Sequence, residues 1–158
     1  MKKLLVSLSA LLVFTFFNEC FAQDAVDDAQ FAIGKPAYAK MVRELWKDFD
    51  DNNFDRHDYM ADTVIMMFPD GTVSKGKVAN LAEVKKYRGS LKSVKSTIFA
   101  CVSLTHPVRK EEAVCIWGQE EDTTADGKIE KKDLHEVWWF NKDGKVSRMM
   151  QWTAKFAE

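Results

Sequence analysis

Acid–base chemistry in this sequence falls to His57, Asp58, Asp62 and His135, with the phenols of Tyr38 and Tyr59 as hydrogen-bond donors. An imidazole or carboxyl enclosed by apolar groups has its pKa moved by desolvation, and a proton shuttle near neutral pH is made that way. In the run Leu134-His135-Glu136-Val137-Trp138-Trp139-Phe140 alternate residues of a strand share a face. His135, Val137 and Trp139 then point one way, and Leu134, Glu136, Trp138 and Phe140 the other. If the first set faces a pocket, His135 lies among aromatics as its leading acid or base, with Asp62 or Tyr38 assisting, and Trp46, Trp117, Val137 and Trp139 supply the ligand-contacting wall. The plainer reading makes His135 a surface or structurally bonded histidine and Asp62 a residue that bonds local amides before a strand. His57 and Asp58 are chain neighbours about 100° apart on a helix, so they do not by themselves make a dyad.

Other chemistries lack their residues. There is no glycine-rich phosphate loop and no Gly-x-Ser-x-Gly elbow, and the three histidines show neither a helical i, i+4 pair nor a Cys-x-x-Cys neighbour. No metal and no cofactor is expected. Asp122 to Asp133 places oxygen side chains at most positions of a calcium loop, with Gly127 at the sixth. Its flanks, Val114-Cys115-Ile116-Trp117 and Val137-Trp138-Trp139-Phe140, favour strands over the helices such a loop needs, so a polar strand connection turned at Asp126-Gly127 is expected. The acidic cluster Asp48, Asp50, Asp51 and Asn52 reads as a solvated helix end.

With 158 residues, 46% hydrophobic and 30% charged, and 23 basic against 24 acidic side chains, the chain has the composition of one globular domain. The balanced charge excludes the concentrated cationic surface that nucleic acid requires. Met1-Lys2-Lys3, an apolar run from Leu4 to Phe17, and Cys20 and Ala22 at the minus-three and minus-one positions form a secretory signal cleaved after Ala22. The run falls short of the roughly 20 apolar residues of a permanent span, so no membrane contact is expected after cleavage, and the mature protein is periplasmic or extracellular. Cys101 and Cys115 are placed symmetrically about residue 108 and face each other across a hairpin if its register is centred there. A disulfide and two small core residues are both open, and a slip of one residue removes the first.

The elements that position these residues follow from periodicity. Residues 23–35 read as a mobile arm. Pro36 opens a helix whose Tyr38, Met41, Val42, Leu45, Trp46 and Phe49 share a face. Asp55 caps a short second helix through Tyr59, and Thr63 to Phe68 is a strand closed by Pro69-Asp70-Gly71. A third helix lies between Lys77 and Leu91. Two hairpins follow, Thr97–Thr105 with Ala113–Glu121 and Leu134–Asn141 with Val146–Thr153. Helices first and antiparallel strands afterwards indicate an α+β domain over residues 36–158.

This order, with Tyr59-Met60-Ala61-Asp62-Thr63-Val64, the Phe68-Pro69-Asp70-Gly71 turn, a Gly76-led helix and the closing Trp139-Phe140-Asn141-Lys142-Asp143-Gly144-Lys145-Val146, resembles the SnoaL-like group of the nuclear transport factor 2-like superfamily. The resemblance runs from about Lys35 to Phe156. It implies a cone, made by a curved, mainly antiparallel sheet wrapped around the helices, with a pocket at the wide end and often a homodimer. Isomerases, cyclases, hydrolases, dehydratases and noncatalytic binders share that fold, so fold does not choose between them. The expected function is an exported binder of a small apolar organic ligand, paired as a homodimer through the apolar outer face of its sheet. The alternatives are an isomerase, hydratase or hydrolase-type enzyme using His135, and a protein interaction module.

Overall fold

The computed structural model describes residues 30–155, where the chain runs β1 (Ala32–Ile33), α1 (Pro36–Asp50), β2 (Met60–Met67), β3 (Val73–Lys75), α2 (Lys77–Gly89), β4 (Leu91–His106), β5 (Glu111–Thr124), β6 (Ile129–Phe140) and β7 (Val146–Lys155). The strands form one open seven-stranded sheet in the order β1-β4-β5-β6-β7-β2-β3, antiparallel except between β2 and β7. Register shifts interrupt the β4–β5 ladder twice, between Leu91 and Ser93 and between Ile98 and Ala100, and further shifts fall in β6–β7 and β2–β7. Each bends its strand, and together they curve the sheet around the helices as the α+β cone requires.

Helix α1 presents Val42 and Trp46 to the concave face of the sheet, where they pack with Val64, Met66, Val114, Ile116, Leu134, Trp138 and Met149. Its carboxyl end is closed by a side chain remote in sequence. The buried Arg88 donates to Phe49 O and Asp50 O at 2.9 Å each at the carboxyl end of the helix, and to Leu91 O at 3.2 Å at the start of β4. Helix α2 is tied to β2 by the buried Asn80, whose amide donates to Val64 O and to Gly76 O.

Three expectations change. No second helix forms between Asp55 and Tyr59; turns occupy residues 51–56 because the side chains there bond to distant partners instead. Arg56 reaches Asp51, His57 reaches Asp48, Asp55 meets Lys85, and Asp58 meets Lys77 and Lys145. The arm ends in structure: Ala32 and Ile33 pair with Thr105 and Leu104, and Gly34 N–H donates to Ser103 O at 2.8 Å. Its earlier part and the signal segment lie outside the described residues. Asp48, expected in solvent, is 2% exposed.

The β4–β5 register opposes Cys101 to Ile116 and Cys115 to Val102. This is the one-residue slip that sends the two thiols to opposite faces of the sheet, and both cysteines are free. Asp122 to Asp133 is a hairpin, with Asp122 opposite Glu130 and the turn closed by Gly127 N–H to Thr124 O. No described helix is long and apolar enough to cross a membrane.

Candidate functional site

A cavity of about 1450 Å³ opens between the concave face of the sheet and the two helices. Leu45, Trp46 and Phe49 reach it from α1, Leu81 and Val84 from α2, and Leu134, Trp138 and Met149 from the sheet. Strand parity decides which β6 residues take part: Leu134, Glu136 and Trp138 line the cavity, and the alternate set does not. The pocket face is therefore opposite to the one that would have brought His135, Val137 and Trp139 inward.

Glu136 is the buried polar group at this wall, 4% exposed. Its Oε2 accepts from Trp46 Nε1 at 2.6 Å and from Trp138 Nε1 at 2.8 Å, and its Oε1 from the Gln151 amide at 2.6 Å. Burial pushes the carboxyl above its ordinary value, and the three donors oppose that shift without cancelling it. Trp46 reaches Glu136 because Gly118 lies beneath its ring: a Cβ there would stand 2.7 Å from Trp46 Cζ3 and 2.5 Å from Thr97 O.

A second group comes from the end of α1 and the segment after it. Asp48 Oδ2 meets His57 Nδ1 at 2.7 Å, while Arg56 Nη1 lies 3.3 Å from Asp48 Oδ1. The His57 ring stacks on Tyr59 at 4.8 Å, and Tyr59 OH donates to Glu44 at 2.7 Å. A carboxylate on Nδ1 selects the tautomer that leaves Nε2 as the basic nitrogen. Asp48 and His57 both line the cavity, so the loop that replaces the expected helix builds a pair that neighbouring helical residues cannot.

Near the β5–β6 hairpin, Glu120, Asp122, Lys132 and Tyr87 form a third group. Lys132 Nζ lies 2.6 Å from Glu120 Oε1 and 2.8 Å from Asp122 Oδ2, which also accepts from Tyr87 OH at 2.8 Å. Burial, reinforced by Asp122 and opposed by Lys132, raises the Glu120 carboxyl to about 8. Burial alone would depress the Lys132 ammonium, but the two carboxylates and the tyrosine hydroxyl hold it above its ordinary value.

Of the residues read from sequence, Trp46, His57 and Asp58 line the cavity, and His135, Val137, Trp139, Trp117, Tyr38 and Asp62 do not. His135 is stacked between Trp117 (4.7 Å, 8°) and Trp152 (5.1 Å, 23°) on the outer face. Val137 and Trp139 share that face, with Arg148 lying 3.8 Å over the Trp139 ring. Tyr38 stacks on Phe140 at 4.2 Å away from the cavity, and Asp62 is exposed on β2. Glu136, Glu120 and Lys132 were overlooked as cavity groups, while Asp48 and Asp122 were read as a solvated helix end and part of a polar hairpin. Glu136 had a signal, a single carboxyl at period two among Leu134, Trp138 and Phe140. Asp48 had one too: seven residues beyond Met41 it lies about 20° from that residue around the helix, at the edge of the apolar stripe.

A curved, mainly antiparallel sheet around a helix-lined cavity is the nuclear transport factor 2-like fold, and the chain has that fold. A SnoaL-like protein of unknown function from Burkholderia thailandensis is 16% identical over 78% of this chain and 99% of its own, with a TM-score of 0.56. An LEH-like epoxide hydrolase from M. tuberculosis is 12% identical over 75% of this chain and 84% of its own, at a TM-score of 0.62. A candidate SnoaL-like polyketide cyclase from Jannaschia sp. CCS1 is 11% identical over 75% and 86%, also at 0.62. No family model and no curated protein matches the sequence. Identities of this order carry the fold and leave the chemistry to the site.

Proposed function

We propose that this protein binds a small, mainly apolar organic molecule in the cone cavity. The carrying observation is the cavity of about 1450 Å³, walled by Trp46, Trp138, Leu81 and Met149, with a buried Glu136 among them. Apolar walls with a few convergent polar groups are the usual build of a small-molecule site. The epoxide hydrolase and the candidate polyketide cyclase of the same fold are named for small organic substrates, which agrees with that use. The neutral fluorophore N-phenyl-1-naphthylamine tests the reading. Its emission should rise and shift to the blue on addition of protein, and Met149→Trp, which fills the wall, should abolish the signal while leaving the far-ultraviolet circular dichroism unchanged. Saturable binding absent from the native protein, or unaffected in that variant, overturns the assignment.

A second reading is favoured by the Asp48–His57 pair. An imidazole oriented through Nδ1 in a cavity wall is equipped to take a proton from a bound carbon or oxygen acid at Nε2. Turnover of enolisable ketones that is lost in His57→Gln, with fluorophore binding retained, would support an enzyme; equal turnover by both proteins would dismiss this base.

For the intact protein we retain export through the amino-terminal segment and pairing of two copies across the outer sheet face. The second is supported by Trp117 and Trp152, 39% and 45% exposed on a face over which no described element packs.

A further inference from the structure

Four carboxyl side chains are buried in the cavity wall: Asp48, Glu120, Asp122 and Glu136, at 2, 5, 4 and 4% exposure. The basic groups that line it are distributed differently. Lys77, Lys128 and Lys131 have side chains 28, 59 and 55% exposed at the rim, and Lys132, at 17%, is the lysine drawn furthest inward. Two of the four carboxyls are already engaged. Asp48 is ion-paired with both His57 and Arg56, although its Oδ1 makes no formed hydrogen bond, and both oxygens of Glu136 accept from Trp46, Trp138 and Gln151.

Glu120 and Asp122 are not matched in this way. They share one ammonium, Lys132, and although Tyr87 and Lys132 both reach Asp122 Oδ2, its Oδ1 is buried with no hydrogen-bond partner. A buried carboxylate oxygen without a donor is costly, and a second donor or positive charge beside it removes the cost. An anion brought to the same place would meet the Asp122 carboxylate.

We infer that the cavity is built for an organic ammonium ion, an apolar body carrying a primary amine whose N–H groups dock on the carboxyls of Asp122 and Glu120. This rests on the ligand-binding reading and names the ligand class for it. The apolar walls take the body, while the Tyr87 ring, already 5.1 Å from Lys132 Nζ, offers a face that tolerates a cation nearby. Because burial raises the Glu120 carboxyl, it holds a proton more readily in the empty cavity; an arriving ammonium favours the ionised form and expels that proton. Affinity for an amine therefore climbs as the pH rises toward the Glu120 pKa, until the amine itself deprotonates. The charged and titratable groups around Glu120 are Asp122 on its own strand, Lys132 and Glu130 on β6, Tyr87 on α2, and Asp50 of α1, which bonds Ser96 opposite Glu120 on β4.

The test displaces N-phenyl-1-naphthylamine with three probes of one shape, cyclohexylmethylamine, cyclohexylmethanol and cyclohexanecarboxylate. The amine should bind at least about ten-fold tighter than the alcohol, and the carboxylate more weakly than either. Asp122→Asn, with Glu120→Gln as an isosteric second variant, should bring the amine down to the alcohol's affinity and leave the alcohol within about two-fold. From about pH 6.5 to about 8.5 only the amine should gain affinity, with proton release seen by calorimetry in two buffers. Fluorophore and alcohol binding without preference for the amine, or an equal loss for amine and alcohol in both variants, overturns the amine site alone. Failure of the fluorophore and all three probes overturns it together with the ligand-binding reading.

Discussion

Replacing Gly118 by Ala adds one methyl group at the point where α1 comes closest to the sheet. That methyl would sit 2.7 and 2.9 Å from two carbons of the Trp46 indole and 2.5 Å from Thr97 O on the neighbouring strand. Carbon atoms in contact rest about 3.5–4.0 Å apart, so the ring must retreat by about 0.8 Å or more. The Trp46 Nε1 to Glu136 bond is now 2.6 Å. A retreat of that size takes it beyond the range of a formed hydrogen bond and leaves the buried carboxyl with one indole instead of two. Losing a hydrogen bond to a charged group removes about 1.5–3 kcal/mol, and overpacking adds about 1–3 kcal/mol. The expected cost is about 3–5 kcal/mol, or a fall in Tm of about 10–20 °C for a domain of this size.

Urea unfolding followed by circular dichroism measures the cost, and Trp46→Phe separates its causes. Phenylalanine lacks the outer ring that meets the new methyl and has no N–H to lose, so Gly118→Ala should cost about 2 kcal/mol less in that background. The contact with Thr97 O persists in both. An equal cost in the two backgrounds would place the whole effect in the backbone contact. A cost under about 1 kcal/mol in the native background would refute the close approach itself.

Glu136→Gln keeps the shape of the side chain, with its oxygen on the two indoles and its amide facing a turned Gln151. Because the folded-state pKa of Glu136 is raised, the folded protein binds more protons than the unfolded chain between the ordinary glutamate value and that raised value, so the native side chain contributes less stability as pH rises through this window. The stability of wild type relative to E136Q should fall with pH there and stay flat above it in urea titrations; a rise would mean that the donors outweigh burial. Trp117→Arg, on the outer face, should convert a dimer to a monomer by light scattering with the fold intact, and an unchanged mass would remove that face as the interface. Expression of the full chain in an exporting bacterium should yield a mature amino terminus at Gln23, read by intact mass, and a retained leader would refute processing after Ala22.

Element types were legible wherever one period ran uninterrupted. The stripe Tyr38 to Phe49 and the β-branched and aromatic runs near Thr97, Ala113, Leu134 and Val146 each correspond to the element their spacing indicated. The segment from Asp55 to Tyr59 was not legible, because its side chains pair with residues as distant as Lys85 and Lys145, which local spacing does not show. The two-residue strand at Ala32 is invisible for a related reason: its hydrogen bonds are made with β4, 70 residues on, and nothing in its own composition marks it.

Parity separates most of the residues read from sequence from the cavity, and parity has one cause. On β6 both alternating sets carry large apolar residues, so hydrophobicity does not say which faces inward. What decides is the partner across the core. α1 delivers Trp46 to β5, and only Gly118 in that strand gives the indole room, which fixes residues 114, 116, 118, 120 and 122 as the inner set. The Gly118–Leu134 pairing carries the choice to β6 and turns Glu136 inward and His135 outward. The same choice brings Glu120, Asp122 and Lys132 to the cavity and leaves Trp117, His135 and Trp152 on the outer face. The lone glycine beside Trp117 was thus the informative residue, since a strand interior tolerates one where another side chain must come close.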